Sequence, residues 1–210
     1  MAPLTARHWD YLDELMQKGS IGIAPDALRI ALGAATLLVG SAPVGPTSVS
    51  RIIKYCGRLP TVRFGSTETC LQVCGTPLCR SLVGNEDPSD SAVLTAFKAG
   101  WNHTDAAGEK CVGYYIGRAH PSHTEVMVVE SAADRTAPGY LKECAPGKCG
   151  PIVTRGGNLM TRYVGNAAAT QNVLREGGWY VGLGDTLKLR GKFNTRANHL
   201  GFSGHLNLLL

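Results

Sequence analysis

The sequence has no apolar stretch long enough to cross a bilayer. Its longest weakly polar run, Ile30 to Val39, is rich in Gly and Ala and falls well short of the roughly 20 residues that a spanning helix needs. A secretory signal is also lacking, because the start, MAPLTARHWDYLDELM, carries charges where a signal requires an apolar core. These absences favour a cytoplasmic chain with no membrane span.

Cysteine is present, but not in a recognisable framework. The seven cysteines are an odd number, and without a secretory signal they favour free thiols in a reducing compartment. Only Cys70 and Cys74 have the spacing of a paired metal-ligand unit, with Cys79, His120 and His123 as further candidate ligands. Scattered buried cysteines and a surface histidine pair are the favoured interpretation, and a metal site is the alternative.

Excess charge of one sign is scarce over most of the chain. The net charge is +5, and the stretch Thr186 to Leu210 holds Lys188, Arg190, Lys192 and Arg196 but no acid. The preceding residues are close to neutral and show no basic stripe interleaved with aromatics, so we expect no nucleic-acid partner. The apolar fraction of 44% is too high for a disordered chain.

Periodicity in the first half predicts an α/β organisation. Apolar spacing indicates helices over Ala6–Lys18 and Pro46–Cys56. Short buried strands are predicted at Leu37–Val39 and Val62–Phe64, on either side of the second helix. A strand, helix and strand within about thirty residues match a crossover unit with a parallel strand pair. Ligands in such sheets collect at the carboxyl ends of the strands.

The second half is typical of β-structure. The predicted strands are Cys111 to Ile116, Thr124 to Glu130, Pro151 to Thr154 and Trp179 to Val181. Asn166 is expected to cap a short helix over Ala167–Arg175. Residues Ser81 to Asp90 are the best candidate for a loop or linker, and the stretch after Asp185 has no clear period, so we predict no regular structure there.

The most informative string is TVRFGSTE, Thr61 to Glu68. Here a β-type run ends in Phe64 and a glycine, followed by hydroxyl side chains and the carboxylate of Glu68. A flat apolar face, a tight turn, a hydrogen-bonding hydroxyl and a Mg²⁺ ligand are what a nucleotide requires. On this string alone, a strand followed by a polar turn is the simpler interpretation.

Three further strings accompany it in a fixed order. They are LVGSAP at Leu38–Pro43, GPIVTRGGNLMTRY at Gly150–Tyr163 and GWYVGLGD at Gly178–Asp185. Together with FGSTE they resemble the adenylate-forming superfamily of acyl-CoA synthetases, luciferases and peptide-synthetase adenylation domains. The corresponding family patterns are the GGAP loop, YG-x-TE, GE-(I/L)-x-x-RG-x-x-x-M-x-GY and GW-(F/Y)-x-TGD. The resemblance covers about Leu28 to Asp185.

The resemblance implies a partial large domain of the adenylate-forming fold, with a crossover half followed by a β-rich half. Residues 1–185 would be the C-terminal portion of an AMP-binding domain, and residues 186–210 a divergent basic tail. The implied reaction converts ATP and a small-molecule carboxylate into an acyl-adenylate and pyrophosphate. Its implied cofactors are ATP or AMP and Mg²⁺, and its implied acceptor is coenzyme A or a carrier protein.

The resemblance also implies roles for individual residues. Phe64 would lie against adenine, Thr67 would contact the phosphate of the adenylate, and Glu68 would associate with Mg²⁺. Thr67 and Glu68 are therefore the catalytic candidates. Asp185 would accept hydrogen bonds from the ribose hydroxyls, and such charge-assisted bonds are stronger than neutral ones. The remaining cofactor-binding positions are Gly40, Ser41, Ala42, Gly65 and Ser66.

Several family features are missing. Pro151 stands where the family usually has Glu, and Gly182 where it has Thr. No stretch between Met1 and Leu37 resembles the Gly/Ser/Thr-rich phosphate loop, and residues 186–210 do not resemble the hinge to the lysine-bearing domain. Phosphoryl chemistry needs positive charge placed on the developing negative charge. We therefore expect an incomplete enzyme that is weak or inactive alone. The alternatives are a non-catalytic relative and an unrelated α/β binding protein, which the ordered strings disfavour.

Overall fold

The computed structural model describes residues 2–70, 72–78, 88–103, 108, 113–119, 124–184, 186–190 and 205–209. The helices in these residues are α1 (Ala6–Gln17), α2 (Pro25–Ala34), α3 (Pro46–Cys56), α4 (Pro88–Trp101) and α5 (Ala167–Val173). The strands are β1 (Ala2–Leu4), β2 (Leu37–Val39), β3 (Thr61–Phe64), β4 (Cys74–Gly75), β5 (Gly113–Ala119), β6 (Thr124–Val128), β7 (Cys149–Gly156), β8 (Thr186–Arg190) and β9 (His205–Leu209).

All of these strands form one mixed sheet, in the order β1-β2-β3-β4-β5-β9-β8-β7-β6. Strands β1, β2 and β3 are parallel, and every later pairing is antiparallel. Leu38 pairs with Thr61 and Val39 with Val62, so the predicted parallel pair is confirmed. The predicted fold class, a crossover half followed by a β-rich half, is confirmed as well.

The helix between the two parallel strands follows from local signals. Pro46 occupies the first helical turn of α3, and Gly57 ends it in the left-handed conformation with φ of 67°. Between them Val49, Ile52 and Cys56 are buried. The apolar stripe thus faces the core, as its spacing predicts.

The core is divided into clusters that follow the two halves of the sheet. The larger one contains Trp9, Val39, Ile52, Phe97 and Tyr115, joining α1, α3 and α4 to the first strands. Within it the ring of Phe97 meets that of Tyr115 edge to face at 5.3 Å between centroids. A second cluster joins β4 and β5 to the β-rich half: Val73, Cys74, Ile116, Ala119, Val126, Val128, Cys144 and Ile152.

A buried carboxylate links α1 to α3. Asp13 is 7% exposed and accepts hydrogen bonds from Arg51 Nε at 3.1 Å and Lys54 Nζ at 2.9 Å, and also from the hydroxyl of Tyr55. The amide of Gln17 adds a further donor at 2.9 Å. The hydrogen bonds from Tyr55 and Lys54 lower the pKa of Asp13 from its ordinary 3.8 to about 2.

Some elements differ from the sequence-based predictions. Trp179 to Val181 is not a strand, since Tyr180 forms only isolated bridges with Thr154 and Leu174. Of the expected linker 81–90, residues 81–87 lie outside the described residues and 88–90 begin α4. The stretch after Asp185, for which no structure was predicted, supplies β8 and β9. Helix α2 was not predicted either.

The cysteines that the structure describes are all free thiols: Cys56, Cys70, Cys74, Cys144 and Cys149. Burial raises the pKa of the Cys56 thiol to about 12, which makes it unreactive at neutral pH. Across the described residues, no group of three or more His, Cys, Asp or Glu side chains could hold a metal. Cys79, His120 and His123 lie outside those residues. No helix in the described part of the chain has the length and apolarity that a membrane crossing requires.

Candidate nucleotide-binding site

The carboxyl ends of β2 and β3 border a cavity of about 310 Å³. Its lining residues are Ser41, Ala42, Pro43, Val44, Val62, Arg63, Phe64, Gly65, Tyr114, Tyr115 and Ile116. The loop after β2 and the end of β3 therefore meet at one site, and residues of β5 complete its lining. Because these are neighbouring parallel strands, their carboxyl ends necessarily lie at the same edge of the sheet.

The loop after β2 begins at a glycine that allows close strand approach. A Cβ atom at Gly40 would lie 2.7 Å from the backbone oxygen of Arg63, so only glycine fits at this point. The next residue, Ser41, has a left-handed backbone with φ of 62°, which turns the chain away from the sheet. Ser41 and Ala42 line the cavity, whereas Gly40 does not and instead permits the close approach of β2 to β3.

The end of β3 brings an aromatic ring and a cation to the cavity. Phe64 is half-buried and packs against the second core cluster, which fixes one side of its ring. The neighbouring guanidinium of Arg63 lies across Gly75, and its Nη1 donates to the carbonyls of Val62 and Thr76 at 3.0 Å each. Burial lowers the pKa of Arg63. The backbone carbonyls thus hold this guanidinium in place.

Beyond Gly65 the chain forms a tight turn that carries the polar candidates. The backbone N–H of Ser66 donates to Thr69 Oγ1 at 2.8 Å, and that hydroxyl donates back to the Ser66 carbonyl at 3.0 Å. This pair closes a single 3₁₀ turn over Thr67–Thr69. Thr67 is exposed on it, and Glu68 is half-buried.

Glu68 is held ionised without a cation. Tyr163 Oη donates to Glu68 Oε1 at 2.8 Å. The pKa of Glu68 lies below its ordinary value because its own backbone N–H and the Tyr163 hydroxyl stabilise the anion; the Ser66 hydroxyl adds to this without forming a well-aligned hydrogen bond. In the part of the chain that the structure describes, no Lys, Arg or His forms an ion pair with Glu68.

The predicted site residues therefore fall into three groups. Those that line the cavity are Ser41, Ala42, Phe64 and Gly65. Those on the adjacent turn or behind the cavity are Gly40, Ser66, Thr67 and Glu68. Asp185 lies outside the described residues, so its place at the site is still a prediction.

The glycine at position 182 has a steric explanation. A Cβ there would lie 2.6 Å from the hydroxyl oxygen of Tyr180, which is 2% exposed and held in the core. A threonine, the residue that the family usually has, would therefore require Tyr180 to move.

Several residues at the site have no role that the sequence alone predicts. Tyr114 and Tyr115 form the β5 wall, and Tyr163 and Asn158 contact the Glu68 turn. The last two belong to the string GPIVTRGGNLMTRY, which carries the resemblance, but the resemblance implies no role for either of them. Its polar residues at the end of a strand were the available signal.

Comparison with protein-family models and with curated proteins finds no match. Solved structures do match. A malonyl-CoA ligase in a ternary product complex with methylmalonyl-CoA and AMP superposes with a TM-score of 0.57 at 20% identity, over 98% of this chain and 32% of that one. The adenylation domain of a keto acid-selecting NRPS module, bound to a keto acyl adenylate, gives a TM-score of 0.57 at 14% identity, over 98% of this chain and 35% of that one.

The o-succinylbenzoate CoA synthetase from Bacillus subtilis, in complex with its acyl-adenylate intermediate, gives a TM-score of 0.54 at 17% identity, over 98% of this chain and 30% of that one. The chain thus spans about a third of the length of these structures. The resemblance to adenylate-forming enzymes is confirmed at the level of the fold, and the match extends beyond the residues 28–185 that carried it in the sequence.

Proposed function

We propose that this chain forms the adenine-binding part of an adenylate-forming site, in which ATP activates a small-molecule carboxylate as an acyl-adenylate. The supporting observation is the convergence of two separate loops, 41–43 and 64–65, on one cavity at the ends of parallel strands. Its volume of about 310 Å³ is within the lower range of small-molecule pockets. The three solved structures described above, which share the fold, are bound to AMP or to an acyl-adenylate.

Each proposed contact follows from the chemistry of one side chain. The ring of Phe64 offers a flat face for the adenine base, beside the small side chains of Ser41 and Ala42. Thr67 is exposed, so its hydroxyl can donate to a phosphate oxygen. Asp185 is proposed to accept hydrogen bonds from the two ribose hydroxyls.

Glu68 fits a magnesium ion bound together with the nucleotide. Magnesium is commonly held by one or two carboxylates plus substrate phosphates, so a lone carboxylate suffices. The lowered pKa keeps Glu68 ionised at neutral pH, and no described cation pairs with it. When bound, the ion would neutralise negative charge on the phosphates.

We further propose that the chain by itself binds nucleotide but does not complete the reaction. The guanidinium of Arg63, a cation that lines the cavity, is bound to backbone carbonyls. We therefore expect no ATP–pyrophosphate exchange from the purified chain with any carboxylate of a broad panel. Robust exchange would contradict this part of the proposal. The acceptor of an acyl group made at such a site would be coenzyme A or a carrier protein.

The nucleotide site is tested by Phe64→Ala. We expect AMP to bind the variant up to about tenfold more weakly than the wild type, because a stacking face worth roughly 0.5–1.5 kcal/mol is lost. Titration calorimetry with AMP makes the measurement. Tyr11→Ala, which removes an aromatic ring that is 51% exposed on α1, is the matched control and should bind AMP unchanged.

Two results would contradict the proposal. One is a wild-type chain that does not bind AMP at millimolar concentration. The other is an unchanged AMP affinity in the Phe64→Ala variant, which would place the nucleotide away from this cavity. Asp185→Ala, measured in the same way, tests the ribose contact and should weaken binding about tenfold, the effect of losing a charge-assisted hydrogen bond.

A further inference from the structure

The segment 157–163 contacts the turn that carries Glu68 through several hydrogen bonds. We infer that Asn158 and Tyr163 in this segment are positioning residues, which hold the Glu68 carboxylate in place for a divalent cation. The inference deepens the proposed function and rests on it. Its structural part, the control of Glu68 by this segment, can be measured independently of any nucleotide.

The backbone of the turn is fixed first. The N–H of Met160 donates to the Glu68 carbonyl at 2.7 Å. Asn158 Nδ2 donates to the carbonyls of Thr69 at 3.1 Å and Gln72 at 2.8 Å. Since both of its partners are carbonyl oxygens, the side chain at position 158 must be a donor, and a carboxylate there would repel them.

The side chain of Glu68 is fixed next. Tyr163 Oη donates to Glu68 Oε1 at 2.8 Å. Tyr163 is itself held, because its backbone N–H donates to Thr170 Oγ1 at 3.0 Å in the first turns of α5. Asn166 caps that helix by accepting the N–H of Ala169 at 2.9 Å. The start of α5 thus sets the position of Tyr163, and Tyr163 sets that of the carboxylate.

A tyrosine is well suited to this role because it is neutral. A lysine or arginine at 163 would also orient Glu68, but would compensate its charge and compete with a cation. The phenolic hydroxyl of Tyr163 donates to Glu68 Oε1 at 2.8 Å and carries no charge of its own. Glu68 consequently keeps its full negative charge while its orientation is restricted.

The decisive experiment compares Tyr163→Phe with Tyr140→Phe in the full chain. Both changes remove one phenolic hydroxyl, but that of Tyr140 lies 3.4 Å from Glu176, away from the Glu68 turn. The carboxyl carbon of Glu68 is followed by NMR through a pH titration. We expect the pKa of Glu68 to rise in Tyr163→Phe and to be unchanged in Tyr140→Phe. An unchanged Glu68 pKa in folded Tyr163→Phe would overturn the inference.

A second measurement follows magnesium binding in the presence of ATP. Loss of one hydrogen bond to a half-buried carboxylate should weaken binding about three- to tenfold in Tyr163→Phe and leave it unchanged in Tyr140→Phe. A wild-type chain that binds neither ATP nor magnesium would contradict the proposed function and the role for a cation. The NMR titration would still decide whether Tyr163 controls Glu68.

The backbone contacts are tested separately by Asn158→Asp, which preserves size and removes the donor. We expect faster hydrogen–deuterium exchange in peptides covering residues 66–70, with exchange in α3 unchanged as an internal reference. Equal exchange in the variant and the wild type would show that Asn158 does not hold the turn.

Discussion

Replacing Gly117 with alanine is expected to lower the free energy of unfolding by more than about 3 kcal/mol, or to prevent folding. Gly117 has φ of 84°, and a Cβ there would lie 2.0 Å from the Gly75 oxygen and 2.4 Å from the Thr76 nitrogen. Those atoms belong to the backbone of β4 and the residue after it, so no side-chain rotation relieves the overlap. Strands β4 and β5 would have to separate beside the cavity wall.

The variant Gly147→Ala is the control that separates the steric clash of an added Cβ from the cost of a left-handed backbone conformation. Gly147 has φ of 86°, but an added Cβ would meet no atom within 4 Å. The left-handed conformation alone costs a non-glycine residue roughly 1–2 kcal/mol. Urea unfolding of both variants makes the comparison. A Gly117→Ala variant no less stable than Gly147→Ala would contradict the close approach of β4 and β5.

Replacing Asp13 with alanine is expected to destabilise the chain by about 2–3 kcal/mol. The change leaves Arg51 and Lys54 without the carboxylate that they share. It also removes the acceptor for the hydroxyl of Tyr55, a residue that is only 4% exposed. Glu14→Ala on the same helix is the control. Its pair with Lys18 is exposed, and such pairs contribute at most about 1 kcal/mol. Equal losses in both variants would show that Asp13 does not join α1 to α3.

The same carboxylate predicts an acid-sensitive stability. Because the pKa of Asp13 is lowered from 3.8 to about 2 by folding, its contribution is fully present above pH 4 and is lost as the pH falls towards 2. That loss amounts to roughly 2 kcal/mol, since one pKa unit corresponds to about 1.4 kcal/mol. Unfolding free energies measured between pH 5 and pH 2 should therefore fall less steeply in Asp13→Asn than in the wild type. Parallel curves would argue against the lowered pKa.

Local signals in the sequence were sufficient for the crossover unit. Pro46, the apolar stripe after it and Gly57 define both ends and the buried face of α3 without tertiary information. Helix α2 also begins at a proline, Pro25, but its apolar face is only partly buried. Leu28 and Leu32 pack against the core, whereas Ile30 is 75% exposed, and the buried position of the helix is Gly33. An added Cβ at Gly33 would lie 2.9 Å from the Cys56 oxygen, so close backbone approach to α3 also fixes this helix.

In the stretch after Asp185, local signals indicate the strands but not their position in the sheet. The sequences TLKLR and HLNLL alternate apolar and polar residues, which is a local signal for strands. Their place in the sheet could not be read locally, because β9 pairs with β5, which lies far earlier in the chain.

At the candidate site, the meeting of the Ser41–Ala42 and Phe64–Gly65 loops follows from one rule about parallel strands and could be predicted. The contact between Tyr163 and Glu68 could not. It joins residues 95 positions apart, and no periodicity or turn signal encodes such a pairing. The resemblance indicates that both strings matter, and only the folded structure shows that one holds the other.

The position of β8 and β9 also determines when the chain can fold during its synthesis. These strands lie between β5 and β7, so the strand pairing that joins the two halves of the described sheet runs through β9 and β8. While residues 205–209 are still within the ribosome, β5 and β7 expose unpaired edges, which can pair with other chains. Completion of this sheet therefore waits until residues 205–209 have left the ribosome, and a nascent chain paused before that point is a natural substrate for chaperones.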